Sequence, residues 1–168
     1  MAEPRPFDPE AMLRILHEHE VAYVLVGGLA ASLHGSPHVT TDVDITPSKD
    51  RPNLERLAEA LEEMNARIRA EGEPSGLAFD RSAEMLARVS ILNLTTRYGD
   101  LDLAFEPAGT CGYDDLLHRA IQVTIRGTRV VVAALADIIR SKEAAGREKD
   151  RLTLPTLRRL LERLGEPE

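Results

Sequence analysis

A chain of 168 residues with 43% hydrophobic side chains can build one domain with its own core and is too short for two of ordinary size, so 1–168 is read as a single domain. The formal net charge of −7 argues against wrapping nucleic acid through general phosphate contacts, and the lone cysteine, Cys111, excludes an internal disulfide. The opening residues lack the basic start and apolar stretch of a secretory signal, and no apolar run nears the roughly 20 residues that cross a bilayer. A reducing, cytoplasmic setting without membrane contact is expected.

Pro9–Glu20 carries Met12, Ile15 and Leu16 at helical spacing, with Asp8 placed to cap a helix that opens on proline. Val21–Val26 is a continuous β-prone run. A short helix over Gly28–His34 follows, and Gly35-Ser36-Pro37 breaks it. Thr40–Thr46 alternates, which predicts a strand with Val43 and Ile45 on one face and Asp42 and Asp44 on the other. Asn53–Asn65 is an amphipathic helix with Leu54, Leu57, Leu61 and Met64 inward and Asp50 or Ser48 as cap. Ala66–Ala70 reads as a short strand and Glu71–Ser75 as a polar loop. Val89–Thr95 and Leu101–Phe105 read as strands joined by a turn at Arg97-Tyr98-Gly99-Asp100. A short helix over Tyr113–Ala120 precedes a second hairpin, Ile121–Ile125 and Thr128–Ala133, around Arg126-Gly127. The core thus spans about 20–133. Helices over Ala136–Ala145 and Leu154–Leu164, bounded by Gly146 and Pro155, fill about 134–164. Residues 140–163 hold eight Lys or Arg against four Asp or Glu, so basic character gathers at this end of an acidic chain.

The chemistry concentrates between Val24 and Ile45. Carboxylates at i and i+2 on a strand share a face, so Asp42 and Asp44 can reach the same cations. Gly27 and Gly28, without side chains, let a phosphate approach backbone N–H groups at the start of the following helix. Asp102, on another strand, supplies a third carboxylate. Three hard oxygen donors suit Mg²⁺, which completes its shell with substrate phosphates. Two such ions fit phosphoryl or nucleotidyl transfer, one activating an attacking hydroxyl and the other holding the leaving pyrophosphate. Lys142 and Arg147 are the candidate cations for the triphosphate. His34 and His38 are four apart, but Pro37 between them argues against a zinc pair.

Val26-Gly27-Gly28, thirteen residues and then Asp42-Val43-Asp44 resemble the core motif of the nucleotidyltransferase superfamily. Gly27-Gly28-Leu29-Ala30, His34-Gly35, Thr40 and Asp42-Val43-Asp44 more narrowly resemble the minimal and AbiEii-like nucleotidyltransferases of bacterial defence and toxin–antitoxin loci. Leu135-Ala136-Asp137-Ile138-Ile139, followed by Lys142, Arg147, Lys149 and Asp150, is similar to the C-terminal helical element of that group. The matches cover most of 20–155. The resemblance implies an α+β, polymerase-beta-like mixed sheet with flanking helices and a C-terminal helical element. It also implies Mg²⁺ (with Mn²⁺ as a substitute) at Asp42, Asp44 and Asp102. The activity it implies is transfer of a nucleoside monophosphate from a triphosphate such as ATP to tRNA, protein or a small molecule, with an antitoxin as partner. There are two departures: His38 stands where related sequences often carry Arg, and Asp100 competes with Asp102 for the third acidic position. Asp100 directly follows Gly99 at the expected turn, which favours Asp102. The rival expectation is a non-catalytic nucleotide-binding module or inactive defence-system partner on the same scaffold.

Overall fold

The structure, a computed structural model, describes residues 6–165. The ends of the 1–168 span, residues 1–5 and 166–168, lie outside the described residues. In chain order the elements are α1 (Pro9–Glu18), β1 (Tyr23–Val26), α2 (Gly27–Leu33), β2 (Asp42–Pro47), α3 (Arg51–Glu63), β3 (Arg67–Ala70) and β4 (Glu73–Leu77). They continue with α4 (Ala83–Leu86), β5 (Ile91–Thr96), β6 (Gly99–Ala104), α5 (Tyr113–Leu117), β7 (Ile121–Ile125), β8 (Thr128–Val132), α6 (Leu135–Ala145) and α7 (Glu148–Leu164).

The helices start where their caps dictate. The Asp8 side chain accepts the Ala11 N–H at 3.0 Å to open α1, and Asp50 accepts the Asn53 N–H at 2.9 Å to open α3. Asn53 itself is fully buried. Its Oδ1 accepts the Ala22 N–H at 2.7 Å and its Nδ2 donates to the carbonyls of Ala22 and Ser48, both at 2.9 Å. One amide therefore ties the start of α3 to the chain just before β1 and just after β2, satisfying backbone groups that burial would otherwise leave unpaired.

The eight strands form one mixed sheet in the order β4-β3-β5-β6-β2-β1-β8-β7, with β2·β6 and β1·β8 parallel and the other pairs antiparallel. Alternation divides β2 and β6 cleanly. Val43, Ile45, Leu101 and Leu103 are fully buried on one face, and Asp42, Asp44, Asp100 and Asp102 take the other. Met12, Leu16, Leu54, Leu57 and Leu61 of α1 and α3 join the buried core. Elsewhere α2 contacts β1, β2 and α6, and α6 packs on α7. Among the described residues no helix is long and apolar enough to cross a membrane.

Three expectations need correction. Glu71–Ser75 is not a loop: β4 begins at Glu73 and pairs with β3, because Gly72 at φ +79° turns the chain tightly back. The β5–β6 turn is Arg97-Tyr98 alone, since Thr96 already pairs with Gly99, which puts Asp100 inside the strand opposite Thr95. Pro155 does not bound the last helix. It lies exposed inside α7, which begins seven residues earlier at Glu148, and the buried Asp150 anchors the turn before it. The four-residue α4, capped by the Ser82 hydroxyl, had no expectation at all.

Candidate active site

The parallel pairing of β2 and β6 creates the site. Asp42 stands opposite Asp100 and Asp44 opposite Asp102, so local alternation on two strands becomes a two-by-two patch of carboxylates on one face. Carboxylate oxygens of Asp42, Asp44 and Asp102 lie within 4.8 Å of one another. Ligand oxygens around Mg²⁺ sit at about 2.1 Å, hence about 3 to 4 Å apart, so small side-chain rotations would close these three onto a shared cation. The donor set is entirely hard oxygen, which fits a divalent cation of that class.

The glycines have a cause nearer than phosphate. β1 runs into α2 with no intervening residue, and Gly27 makes that turn at φ +71°, a conformation that favours glycine. A Cβ on Gly27 would stand 2.3 Å from Asp44 Oδ2, and one on Gly28 would stand 3.0 Å from Thr40 Oγ1. Thr40 in turn donates to Asp42 Oδ1 at 3.2 Å. The first glycine therefore makes room for one carboxylate directly. The second makes room for the hydroxyl that holds the other.

The cations divide into two groups. On the β3 side, Arg69 Nη2 donates to Asp102 Oδ1 at 2.8 Å and to the Leu94 carbonyl at 2.9 Å, while Nε lies 3.3 Å from Asp100 Oδ2. Nothing in the local sequence marks Arg69, because β3 reaches these acids only across β5. On the α6–α7 side, Lys142 and Arg147 converge on the fully buried Asp150, with Lys142 Nζ 3.2 Å from Oδ1 and Arg147 Nε 2.7 Å from Oδ2. Burial acts to raise the Asp150 pKa, but the hydrogen bonds and charges of Arg147 and Lys142 outweigh it and hold the carboxyl below its usual range. The positive charges that act on Asp44 are Lys149 and Lys142. Lys149 thus belongs with Lys142 near the acids, although it carried no site expectation, whereas Arg147 is 59% exposed and directed at Asp150.

Removing one partner from a buried ion pair strands the other charge. Asp150→Ala should cost roughly 2–4 kcal/mol in urea unfolding, below the 3–5 typical of such cuts because the exposed Arg147 can turn to water. Asp150→Asn should cost less than half of that. Equal losses for the two variants would mean that packing, and not charge, is what Asp150 supplies.

Asp44 is pushed up to about 7, first by burial and then by the charges of Asp42 and Asp102, with Lys149 and Lys142 working against the rise. Asp102 is pushed up to about 6 by burial, with Arg69 pulling it down and Asp42 pushing it up. Without a cation, three carboxylates this close cannot all stay charged cheaply. A bound divalent ion removes that penalty.

No family model matches the chain, and no curated protein matches it in sequence. Solved structures do match in fold. The lincosamide antibiotic adenylyltransferase LnuA, bound to lincomycin, superposes with a TM-score of 0.60 at 15% identity, over 94% of this chain and 99% of that one. A Thermotoga maritima protein assigned as a nucleotidyltransferase gives 0.55 at 17% identity, covering 89% and 93%. The antibiotic-resistance factor ANT(2'')-Ia gives 0.56 at 16% identity, covering 93% and 82%. The mixed sheet with flanking helices expected from the Gly-Gly and Asp-x-Asp pattern is therefore the fold these nucleotidyltransferases have.

Proposed function

We propose that this chain, acting as one domain, is a divalent-cation-dependent nucleotidyltransferase that moves a nucleoside monophosphate from a nucleoside triphosphate to a hydroxyl acceptor. The carrying observation is the convergence of Asp42, Asp44 and Asp102 within 4.8 Å beside a diglycine turn. The fold shared with LnuA and ANT(2'')-Ia supports it. Asp42, Asp44 and Asp102 would hold one or two Mg²⁺ ions, with Mn²⁺ as a substitute. When bound, such ions polarise the α-phosphate, lower the pKa of the attacking hydroxyl and neutralise the departing pyrophosphate.

The remaining work falls to the chain's own groups. Gly27 and Gly28 keep the wall beside Asp44 free of side chains, and Lys142 and Lys149 offset the triphosphate's negative charge, with Arg147 as a further contact. Asp102, on the strand farther from α2, takes the acceptor's proton as its oxygen bonds to the α-phosphorus and the α–β bond breaks to release pyrophosphate. Thr95 stands opposite Asp100 in register and lines a cavity of about 410 Å³ with Asn65, Arg67 and Arg97. Two strand spacings, about 10 Å, separate Thr95 from Asp42, within reach of an acceptor lodged there.

The acceptor class, whether a small molecule, tRNA or a protein, and the preference for ATP or another triphosphate belong to the experiment. The narrower AbiEii-like reading, with a toxin role, an antitoxin partner and a cytoplasmic setting, rests on the sequence resemblance at residues 27–44 and 135–150. Incubation with each α-labelled triphosphate, Mg²⁺ and either cell lysate or an antibiotic panel should label an acceptor with one pyrophosphate released per transfer. Chelator should stop the labelling, and Mg²⁺ or Mn²⁺ should restore it. Nucleotide binding without any product would identify a binding module instead, and free monophosphate plus pyrophosphate would identify a hydrolase.

A further inference from the structure

The cavity of about 410 Å³ opens beside the acids, lined by Arg67 of β3, Thr95 of β5 and Arg97 of the β5–β6 turn, with Asn65 and Ser75. Arg67 pairs with Thr95 and Thr95 with Asp100, so Arg67 and Thr95 lie on the acidic face of the sheet. The described residues that line the cavity include two cations and no Asp or Glu. Arg67 is half-buried, and its guanidinium donates to backbone carbonyls alone, Nε to Ser75 at 2.9 Å and Nη2 to Gly76 at 3.3 Å. Those carbonyls fix its plane without neutralising its charge. Arg97 is exposed, and its side chain bonds to no described residue. Thr95 is only 8% exposed, yet its hydroxyl makes no hydrogen bond to a described residue, although buried polar groups ordinarily have a partner.

We propose that this cavity holds an anionic group of the acceptor, a phosphate or a carboxylate, so that the hydroxyl compound modified at the acids is a small anion and not a cationic antibiotic. The acceptor role rests on the nucleotidyltransferase reading of the neighbouring acids. A guanidinium whose plane is already set takes such a group through directed N–H donors, and Arg97 adds a second positive charge. Asp100, in register with Thr95, does not line the cavity, and Arg69 Nε lies 3.3 Å from its Oδ2. Thr95 is the diagonal neighbour of Asp102 across β5 and β6, at about 7–8 Å. A hexose phosphate matches that gap, because its ring holds the far hydroxyls several ångströms from phosphorus. A cavity of this size takes one such molecule, and a net charge of −7 opposes a nucleic-acid acceptor.

Inorganic phosphate titrated into the cation-free protein therefore shifts the backbone amide resonances of Thr96, Arg97 and Gly99 saturably. Arg97→Glu weakens that binding about tenfold or more, and so does Arg67→Met. Arg97 is exposed, so Arg97→Glu keeps the test intact where losing the carbonyl contacts unsettles Arg67→Met, and thermal unfolding checks both. For transfer, a bacterial small-molecule extract is separated by ion exchange into anionic, neutral and cationic pools, each offered as acceptor with α-labelled triphosphate and Mg²⁺. Label enters the anionic pool. Arg97→Glu lowers its labelling rate at limiting acceptor about tenfold or more, while KM for the triphosphate stays within about threefold because the nucleotide's contacts lie on the α6–α7 side. Alkaline phosphatase treatment of the pool, with the phosphatase removed before the triphosphate is added, abolishes labelling of a phosphate-bearing acceptor and spares a carboxylate.

Amides that phosphate leaves unmoved, or phosphate binding that Arg97→Glu leaves unchanged, would overturn the inference. So would label on a neutral or cationic compound, or on a macromolecule, with the anionic pool blank. Each of these outcomes leaves the reading of the acids standing and removes this inference alone. If no pool and no macromolecule accepts label, that reading fails and takes the acceptor role of the cavity with it.

Discussion

Asp44→Asn should abolish nucleotidyl transfer, by at least about 10³-fold, while making the cation-free protein more stable at neutral pH. The loss follows from removing a ligand to the ion that stabilises the transition state, a contribution of several kcal/mol, each 1.36 of which is tenfold in rate. The gain in stability follows from the sign of the Asp44 shift. Its pKa is about 7 in the folded chain against 3.8 for the unperturbed group, so between those values the folded state keeps a proton that the unfolded state has released. Stability contributed by this group is present at acid pH and drains away as pH rises toward 7, by at most about 4 kcal/mol. Asparagine carries no charge to bury, and its absence also relieves Asp102, which Asp44 and Asp42 crowd. In chelator at pH 8 the variant should melt several degrees above the parent, at about 2–4 °C per kcal/mol for a chain of this length. At pH 4.5 the difference should shrink toward zero. Millimolar Mg²⁺ should reverse the order at pH 8 by stabilising only the parent. A cation-free variant that melts below the parent at pH 8 would show that the acids are not under the electrostatic stress described.

Features of this chain set by local spacing are legible in its sequence, and those that are not lie where the fold joins distant segments. Asp42 and Asp44 opposite Val43 and Ile45 needed only a period of two, and the Asp8 and Asp50 caps needed only three residues of chain. Asp102 was preferred over Asp100, but for a reason that does not hold. The expected turn would have excluded Asp100, whereas Asp100 lies in β6 opposite Thr95, and what distinguishes the pair is that Asp102 converges with Asp42 and Asp44. Arg69 could not be found without knowing that β3 lies beside β5, and the β3–β4 hairpin was hidden by a Gly/Pro-rich segment that resembles a loop. Pro155 misled for a related reason. A proline signals a helix end from local chemistry, but the buried face of Asp150 and Leu154 before it continues in Leu157 and Leu161 after it, and that packing carries α7 through. Long-range charge pairing is the part of this site that the linear sequence conceals.

Gly27→Ala should be the most damaging small substitution outside the carboxylates themselves, costing about 2–4 kcal/mol in stability and about 100-fold or more in transfer. Two effects combine. The backbone at φ +71° is strained for any residue with a Cβ, and that Cβ would stand 2.3 Å from Asp44 Oδ2, 2.8 Å from its Cγ and 2.9 Å from its Cβ. Asp44 cannot slide away as a unit, because its backbone is paired in register with Val26 on one side and Asp102 on the other. The carboxylate must rotate out of the cluster instead, and misplacement by about 1 Å is enough to cost 100-fold. Gly72 supplies the control, since it has φ +79° and a Cβ there would meet nothing within 4 Å. Gly72→Ala therefore carries the backbone penalty alone, about 1 kcal/mol, and leaves transfer unchanged. The excess cost of Gly27→Ala over Gly72→Ala then measures crowding against Asp44. That crowding must ease when Asp44 is cut back: an Asp44→Ala background removes the Oδ2 and Cγ contacts and keeps only the one to Cβ at 2.9 Å, so Gly27→Ala should cost clearly less there than in the parent. A coupling energy near zero in that double-mutant cycle would separate Gly27 from Asp44, and the diglycine would lose its nearer role in shaping the acidic site.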